Sequence, residues 1–370
     1  MKPFVFSADS HIQEPDALYV DGLPASLKRY ALQVRKDGDY LIAGTDEKQI
    51  HRLRLGKHRD IPIFAERRGT RELPGRFEDM DFEGIDAEIC FPQLGLWIYA
   101  VGNPDAEAAS ARLFNDWSDG FLEGHQDRLV KCGMLPVMDF SCTLAELDYL
   151  AGKGYKAAML PLVSFGALPK YNSEAWDPVF AKAAHHGIVF VMHSGTGLES
   201  VVSEKGPGGA IINYAGQAMD AMNTAMYLVS SGVLDRNPGA KVAFIETGAS
   251  WLAALGERMD EVAEAHAFYV RPKLSRKPSQ IIDDQVWAGF QHDRACIVAA
   301  DRKMPGSRNI MWGSDYPHAE GTWPVSRNVV DRLFEDLAVS EATWRDAVGL
   351  NAARLFGIEP TIHTSQKLAA

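Results

Sequence analysis

Eight times along the chain a short, nearly continuous run of apolar residues appears, and longer amphipathic stretches separate the runs. The runs cover 4–8, 87–91, 129–135, 155–160, 188–192, 241–245, 286–290 and 309–312. Three of them are stopped at once by proline, at Pro92, Pro136 and Pro161. Runs without polar alternation suit parallel strands covered on both faces. The stretches between them carry helix signals. Asn103 precedes Pro104 at the head of a helix running towards His125, and Ser173 heads one that stops near Gly187. Further helices are expected over 213–230, 250–268 and, after Ser340, up to Gly357. Strand and helix in alternation mean α/β architecture, and eight such units favour a closed (β/α)8 barrel over an open sheet.

The spacing is uneven. About 75 residues separate the first two runs, and within them residues 31–34 and 40–42 flank Asp37-Gly38, a hairpin signal. The fold expected is therefore a distorted TIM barrel with a β-rich insertion after strand one, at about 18–78. Length alone, 370 residues, would suggest two to three domains. The strand count replaces that with one barrel domain over 1–370. A second long loop, 196–212, holds Gly206-Pro207-Gly208-Gly209 without phosphate-loop spacing, and the tail from Glu359 is expected to fray.

Composition removes several classes. A net charge of −11 argues against general binding to nucleic acid or anionic membranes. No apolar run approaches the ~18 residues of a membrane span, and the first residues are too short an apolar stretch for a secretory signal. Cys90, Cys132, Cys142 and Cys296 form no CxxC pair. Together these point to the cytoplasm and to a small-molecule substrate.

Barrel enzymes carry their chemistry at the C-terminal ends of the strands. The first run here ends on Asp9-Ser10-His11, the fifth on His193, the sixth on Glu246 and the seventh on His292. The eighth leads to Asp315, with His318 three residues on. Asp9 and His11, two apart, can face one side. Imidazoles and carboxylates converging from separate strands form a divalent-metal site, with zinc expected first and manganese or iron(II) also suited. Asp9, His11, His193 and Asp315 are the expected ligands. Singly, each is equally well read as a hydrogen-bonded structural residue.

At this point the chain resembles the metal-dependent amidohydrolase superfamily. It is most similar to the branch that includes aminocarboxymuconate-semialdehyde decarboxylase and resorcylate-type decarboxylases. The resemblance rests on DSH at 9–11, MDFEGIDAEICFP at 80–92, RLFNDW at 112–117 and WDPVFAKAAHHGIVFVMHSG at 176–195. It continues through FIETGASWLAALGERMD at 244–260, WGSDYPHAEGTWP at 312–324 and NAARLFG at 351–357. It implies a distorted (β/α)8 barrel, a homodimer and a single metal on Asp9, His11, His193 and Asp315. Two positions depart from it. Many relatives place a second histidine on strand one, where this chain has Gln13, and a histidine ending strand six, where it has Glu246.

Two chemistries stay open. In a non-oxidative decarboxylation of a small aromatic acid, Asp315, Glu246 or His292 would protonate the ring carbon before CO2 leaves. In a hydrolysis of an ester, amide or ring-fission bond, metal-activated water attacks and Asp315 accepts its proton. A third reading, a ligand-binding barrel without catalysis, is motivated by Gln13 and Glu246. An open-sheet nucleotide-binding enzyme is the rival fold, but no glycine fingerprint follows any strand. His318 either reaches substrate or orients its loop. His185 and His186 suit a helix C-terminus, and His51 and His58 read as surface residues. One of Arg52, Arg54, Arg67, Arg68 and Arg71 could clamp a substrate carboxylate. Trp97, Tyr99, Phe165, Trp251 and Trp323 read first as packing.

Overall fold

The computed structural model describes residues 2–54, 67–198 and 202–363. His58 and the side chain of Arg54 lie outside the description. Eight parallel strand positions form the barrel. The first is split into Phe6–Ser7 and His11–Ile12. Ala87–Pro92, Leu129–Met134, Ala157–Pro161 and Val189–His193 follow. Val242–Ile245, Val286–Phe290 and Ile310–Trp312 complete it. Every residue of these strands is buried, as their apolar composition requires. Each pairs in parallel with its sequence neighbour around the barrel. All eight expected strands are present; seven lie within two residues of the expected bounds, and the first runs on to Ile12.

The seam between the last strand and the first is closed by single bonds rather than a full ladder. Ala8 N–H donates to the Trp312 carbonyl at 2.9 Å, and His11 N–H to the Tyr316 carbonyl at 2.8 Å. Between those points the first strand carries an extra residue. Phe6 pairs Ala87 and His11 pairs Phe91, so five steps on one strand match four on the other. A bulge of this kind re-aims the side chains around it, here Asp9 to His11.

The helices arise where their caps lie. The Asn103 side chain accepts from Ala106 N–H at 2.9 Å and starts Pro104–Phe121. Gly187, at φ 66°, ends Asp177–His186 in the left-handed conformation glycine tolerates. The final expected helix is broken into Glu341–Arg345, a π-helical turn Asp346–Leu350, and Asn351–Phe356. The wide turn seats Gly349 against the Phe4 carbonyl, where an added Cβ would lie at 2.2 Å. The insertion is richer than one hairpin. Gln33–Asp37, Tyr40–Gly44 and Gln49–Arg54 form an antiparallel three-stranded sheet. Helix Leu73–Glu83 buries Arg76 and Met80 and leads into barrel strand two. Among the described residues no helix is long and apolar enough to cross a membrane, and all four cysteines are free.

Candidate metal centre

Four polar atoms are buried at the C-terminal mouth of the barrel with no hydrogen-bond partner: Asp9 Oδ1, His11 Nε2, His193 Nε2 and Asp315 Oδ2. Their residues are at most 2% exposed. Leaving one such atom unpaired costs about 1–3 kcal/mol, and more for a charge, so four together signal an absent partner. The atoms are close. Asp9 Oδ1 lies 3.6 Å from both His11 Nε2 and His193 Nε2, and His11 Nε2 lies 3.4 Å from Asp315 Oδ1. Asp9, His11 and His193 form one group able to hold a metal, and His11, Asp315 and His318 a second that shares His11.

The imidazoles are oriented for this task. His11 Nδ1 faces the Pro92 carbonyl at 2.9 Å and His193 Nδ1 the Ser194 carbonyl at 3.1 Å. A ring N–H spent on a carbonyl leaves the other nitrogen's lone pair for a cation. The residues present therefore fit a divalent metal, as the sequence led us to expect. Asp9 is held by its backbone as well: its carbonyl accepts from Asp315 N–H at 3.0 Å and from Ser7 Oγ at 2.6 Å. Gly313 allows that approach, since a Cβ there would stand 2.6 Å from Asp9 Cβ.

Glu246 and Asp315 both adopt left-handed backbone, φ 56° and 54°, which non-glycine residues rarely do and which clusters at functional sites. Inward-facing Ile245 is paired with His193. The turn at Glu246 then brings its carboxylate within 3.6 Å of His193 Nδ1, and Ser194 Oγ donates to Glu246 Oε2. The Trp251 indole N–H donates to the Gly248 carbonyl at 2.8 Å.

The electrostatics divide the two carboxylates. Burial, aided by the Asp315 charge, pushes Glu246 up to about 7. Burial acts on Asp315 too, but His318 and His11 outweigh it and hold its carboxyl well below the usual range. Burial would lower both His193 and His318. Asp9 and Glu246 raise His193 to about 9, and Asp315 raises His318 to about 10. His11 is lowered by burial.

Not every expected residue joins the site. His292 is exposed. Gly289 faces Ile245 inside the barrel, so alternation turns Gln291 inward and His292 away. Arg67, Arg68 and Arg71 are tied to Asp79, Glu72 and Asp16. Arg52 lies over the Tyr40 ring at 3.6 Å. His51, expected at the surface, is half-buried and stacked on Trp97 at 5.3 Å, because the inserted sheet leans on the loop after strand two. His186 pairs with Asp148 at 2.8 Å. Tyr99, Trp251 and Trp323 are buried, in keeping with packing.

Sequence reading missed Ser194, Glu14, Gln93 and Arg76. Arg76 is 1% exposed and ion-paired with Glu88. It donates to the His11 carbonyl at 2.6 Å and to Ser10 Oγ at 2.7 Å, pinning the strand that carries Asp9 and His11. Arg76→Ala is expected to cost about 3–5 kcal/mol, because Glu88 is left buried without a counter-charge. Denaturant unfolding measures it, and a loss below about 1 kcal/mol would contradict this role.

The family model for amidohydrolases matches residues 9–358. Among solved structures the chain is similar to an amidohydrolase from Mycobacterium avium subsp. paratuberculosis K-10, with TM-score 0.75 and 21% identity over 96% of this chain and 100% of that one. A 5-carboxyvanillate decarboxylase from Sphingomonas paucimobilis gives TM-score 0.66 and 19% identity over 97% and 100%. A dihydroxybenzoic acid decarboxylase from Polaromonas sp. JS666, with bound manganese and the inhibitor 2-nitroresorcinol, gives 0.62 and 17% over 96% and 97%. No curated protein matches the sequence.

Proposed function

The chain belongs to the amidohydrolase family, and from that premise we propose that it is a metal-dependent carboxy-lyase, a non-oxidative decarboxylase of a small hydroxylated aromatic acid. The observation that carries the proposal is the pair of carboxylates pushed in opposite directions beside four orphaned ligand atoms. Such a pair sorts itself into an acid and a permanent anion. The decarboxylases among the similar structures support the choice of reaction.

Asp9, His11, His193 and Asp315 would hold the cation. Two imidazoles and two carboxylates suit manganese, zinc or iron(II), and manganese in the Polaromonas protein makes it the first to test. When bound, the cation supplies positive charge to hold the substrate's carboxylate and a neighbouring hydroxyl oxygen. Asp315, kept ionised by His318, is unsuited to give a proton. Glu246 is suited. Its Oε2 accepts from Ser194, which leaves Oε1 to carry the proton. Oε1 donates it to the ring carbon bearing the carboxylate. The C–C bond then breaks, its electron pair restores the ring, and CO2 leaves. Glu246 recovers a proton from water. In this reading the residue ending strand six, Glu246, does the acid work.

The test uses purified protein loaded with Mn2+ and offered dihydroxybenzoates and 5-carboxyvanillate, with aryl esters and amides in parallel. Decarboxylation releases CO2 and, in D2O, places one deuterium on the ring carbon. Product carrying oxygen from labelled water, with no CO2, would overturn the proposal in favour of a hydrolase. Binding of the acids with no turnover of any compound would favour a barrel without catalysis.

A further inference from the structure

Asp315 divides its two oxygens. Oδ2 is the orphaned atom, while His318 Nδ1 donates to Oδ1 at 2.7 Å. The opposite side of the His318 ring is also held. Its Nε2 lies 3.0 Å from Gln93 Nε2 and 3.2 Å from Gln93 Oε1. Gln93 stands on the loop leaving barrel strand two, far from His318 in sequence.

That loop is fixed by a residue no chemistry claims. Glu14 is 3% exposed and leaves the same strand as His11. Its carboxylate accepts the successive N–H groups of Gln93 at 3.2 Å, Leu94 at 3.0 Å and Gly95 at 2.7 Å, together with the Tyr19 hydroxyl at 3.2 Å. Gly95 permits this closeness, since a Cβ there would come within 2.9 Å of Glu14 Oε1 and 2.8 Å of the Tyr19 hydroxyl. Moving the loop would unpair three backbone donors from one buried carboxylate. The result is a continuous chain of contacts: Glu14 fixes the backbone of Gln93, Gln93 meets His318, and His318 meets Asp315.

We propose that Gln93 is a positioning residue of the metal centre. Held by Glu14, it keeps His318 against Asp315 Oδ1, so that Asp315 Oδ2 faces the cation. This rests on the metal reading above. Partners that orient a ligand typically change metal affinity by about 10–100-fold when removed.

The experiment is calorimetric titration of the full-length protein with Mn2+. Gln93→Leu conserves volume and is expected to weaken Mn2+ binding by about tenfold. In a His318→Ala background the same change should alter affinity by less than about twofold, because the contact it removes is already gone. Glu14→Gln should weaken Mn2+ in the same direction, since its amide would face backbone N–H groups. If that variant does not fold, the Gln93 and His318 cycle decides alone. Gln93→Leu binding within about twofold of the parent, or an equal loss with and without His318, would overturn the inference. A parent protein that takes up neither Mn2+ nor Zn2+ would instead defeat the metal reading, and the inference with it.

Discussion

His193→Ala is expected to purify without stoichiometric divalent metal and to show no decarboxylation. The imidazole supplies an orphaned nitrogen 3.6 Å from Asp9 Oδ1. The loss should also appear in stability. A ligand that binds only the folded state adds RT ln(1 + [L]/Kd), about 4 kcal/mol at a thousandfold excess over Kd. Added Mn2+ should therefore raise the melting temperature of the parent by several degrees and leave His193→Ala unmoved. Asp315→Asn should behave similarly, because it removes the charge that both the cation and His318 answer. Elemental analysis and thermal melting with and without chelator measure these effects. Retained stoichiometric metal and near-parental turnover in both variants would defeat the ligand assignment.

Glu246→Gln is expected to keep its metal and to lose about 10²–10⁴ in kcat. Gln conserves shape and can still accept from Ser194, but it has no proton to give. The pH profile carries the same information with a definite sign. Burial raises Glu246 to about 7, so its acid form is populated below that value and lost as pH rises through it. A bound cation draws the value lower. Parental kcat/KM should therefore fall on the alkaline side with an apparent pKa at or below about 7, and Glu246→Gln should lack that limb. Loss of metal in this variant would make Glu246 a ligand, and an unchanged kcat would remove it from the reaction.

Much of this architecture was legible in the sequence because its signals are local. An apolar run such as IVFVM at 188–192 needs no partner to declare itself a doubly covered strand. Asn103 and Ser340 mark helix starts by the hydrogen bonds their own side chains make. The residues that follow each strand could then be nominated; Asp9, His11 and His193 lie together in one group, and Asp315 lies beside His11 in a second. His292 shows the limit. Which of two adjacent residues faces inward depends on register, and register is set by neighbouring strands.

Glu14, Gln93, Ser194 and Arg76 show another. A glutamate or glutamine just after a strand looks solvated in sequence, because nothing local says what will cover it. Glu14 meets Gln93 across 79 positions and Gln93 meets His318 across 225. Sequence by itself determined the eight-strand alternation, the acidic character and the donor types at the strand ends. Closure of the barrel decided the rest. It brought residue 9 against residue 315 and left four buried polar atoms without a hydrogen-bond partner. It also placed Glu246 and Asp315 in one low-dielectric mouth, where burial and the imidazoles drive like groups apart. Burial and pairing are properties of what surrounds a side chain, and for this site the surroundings come from opposite ends of the chain.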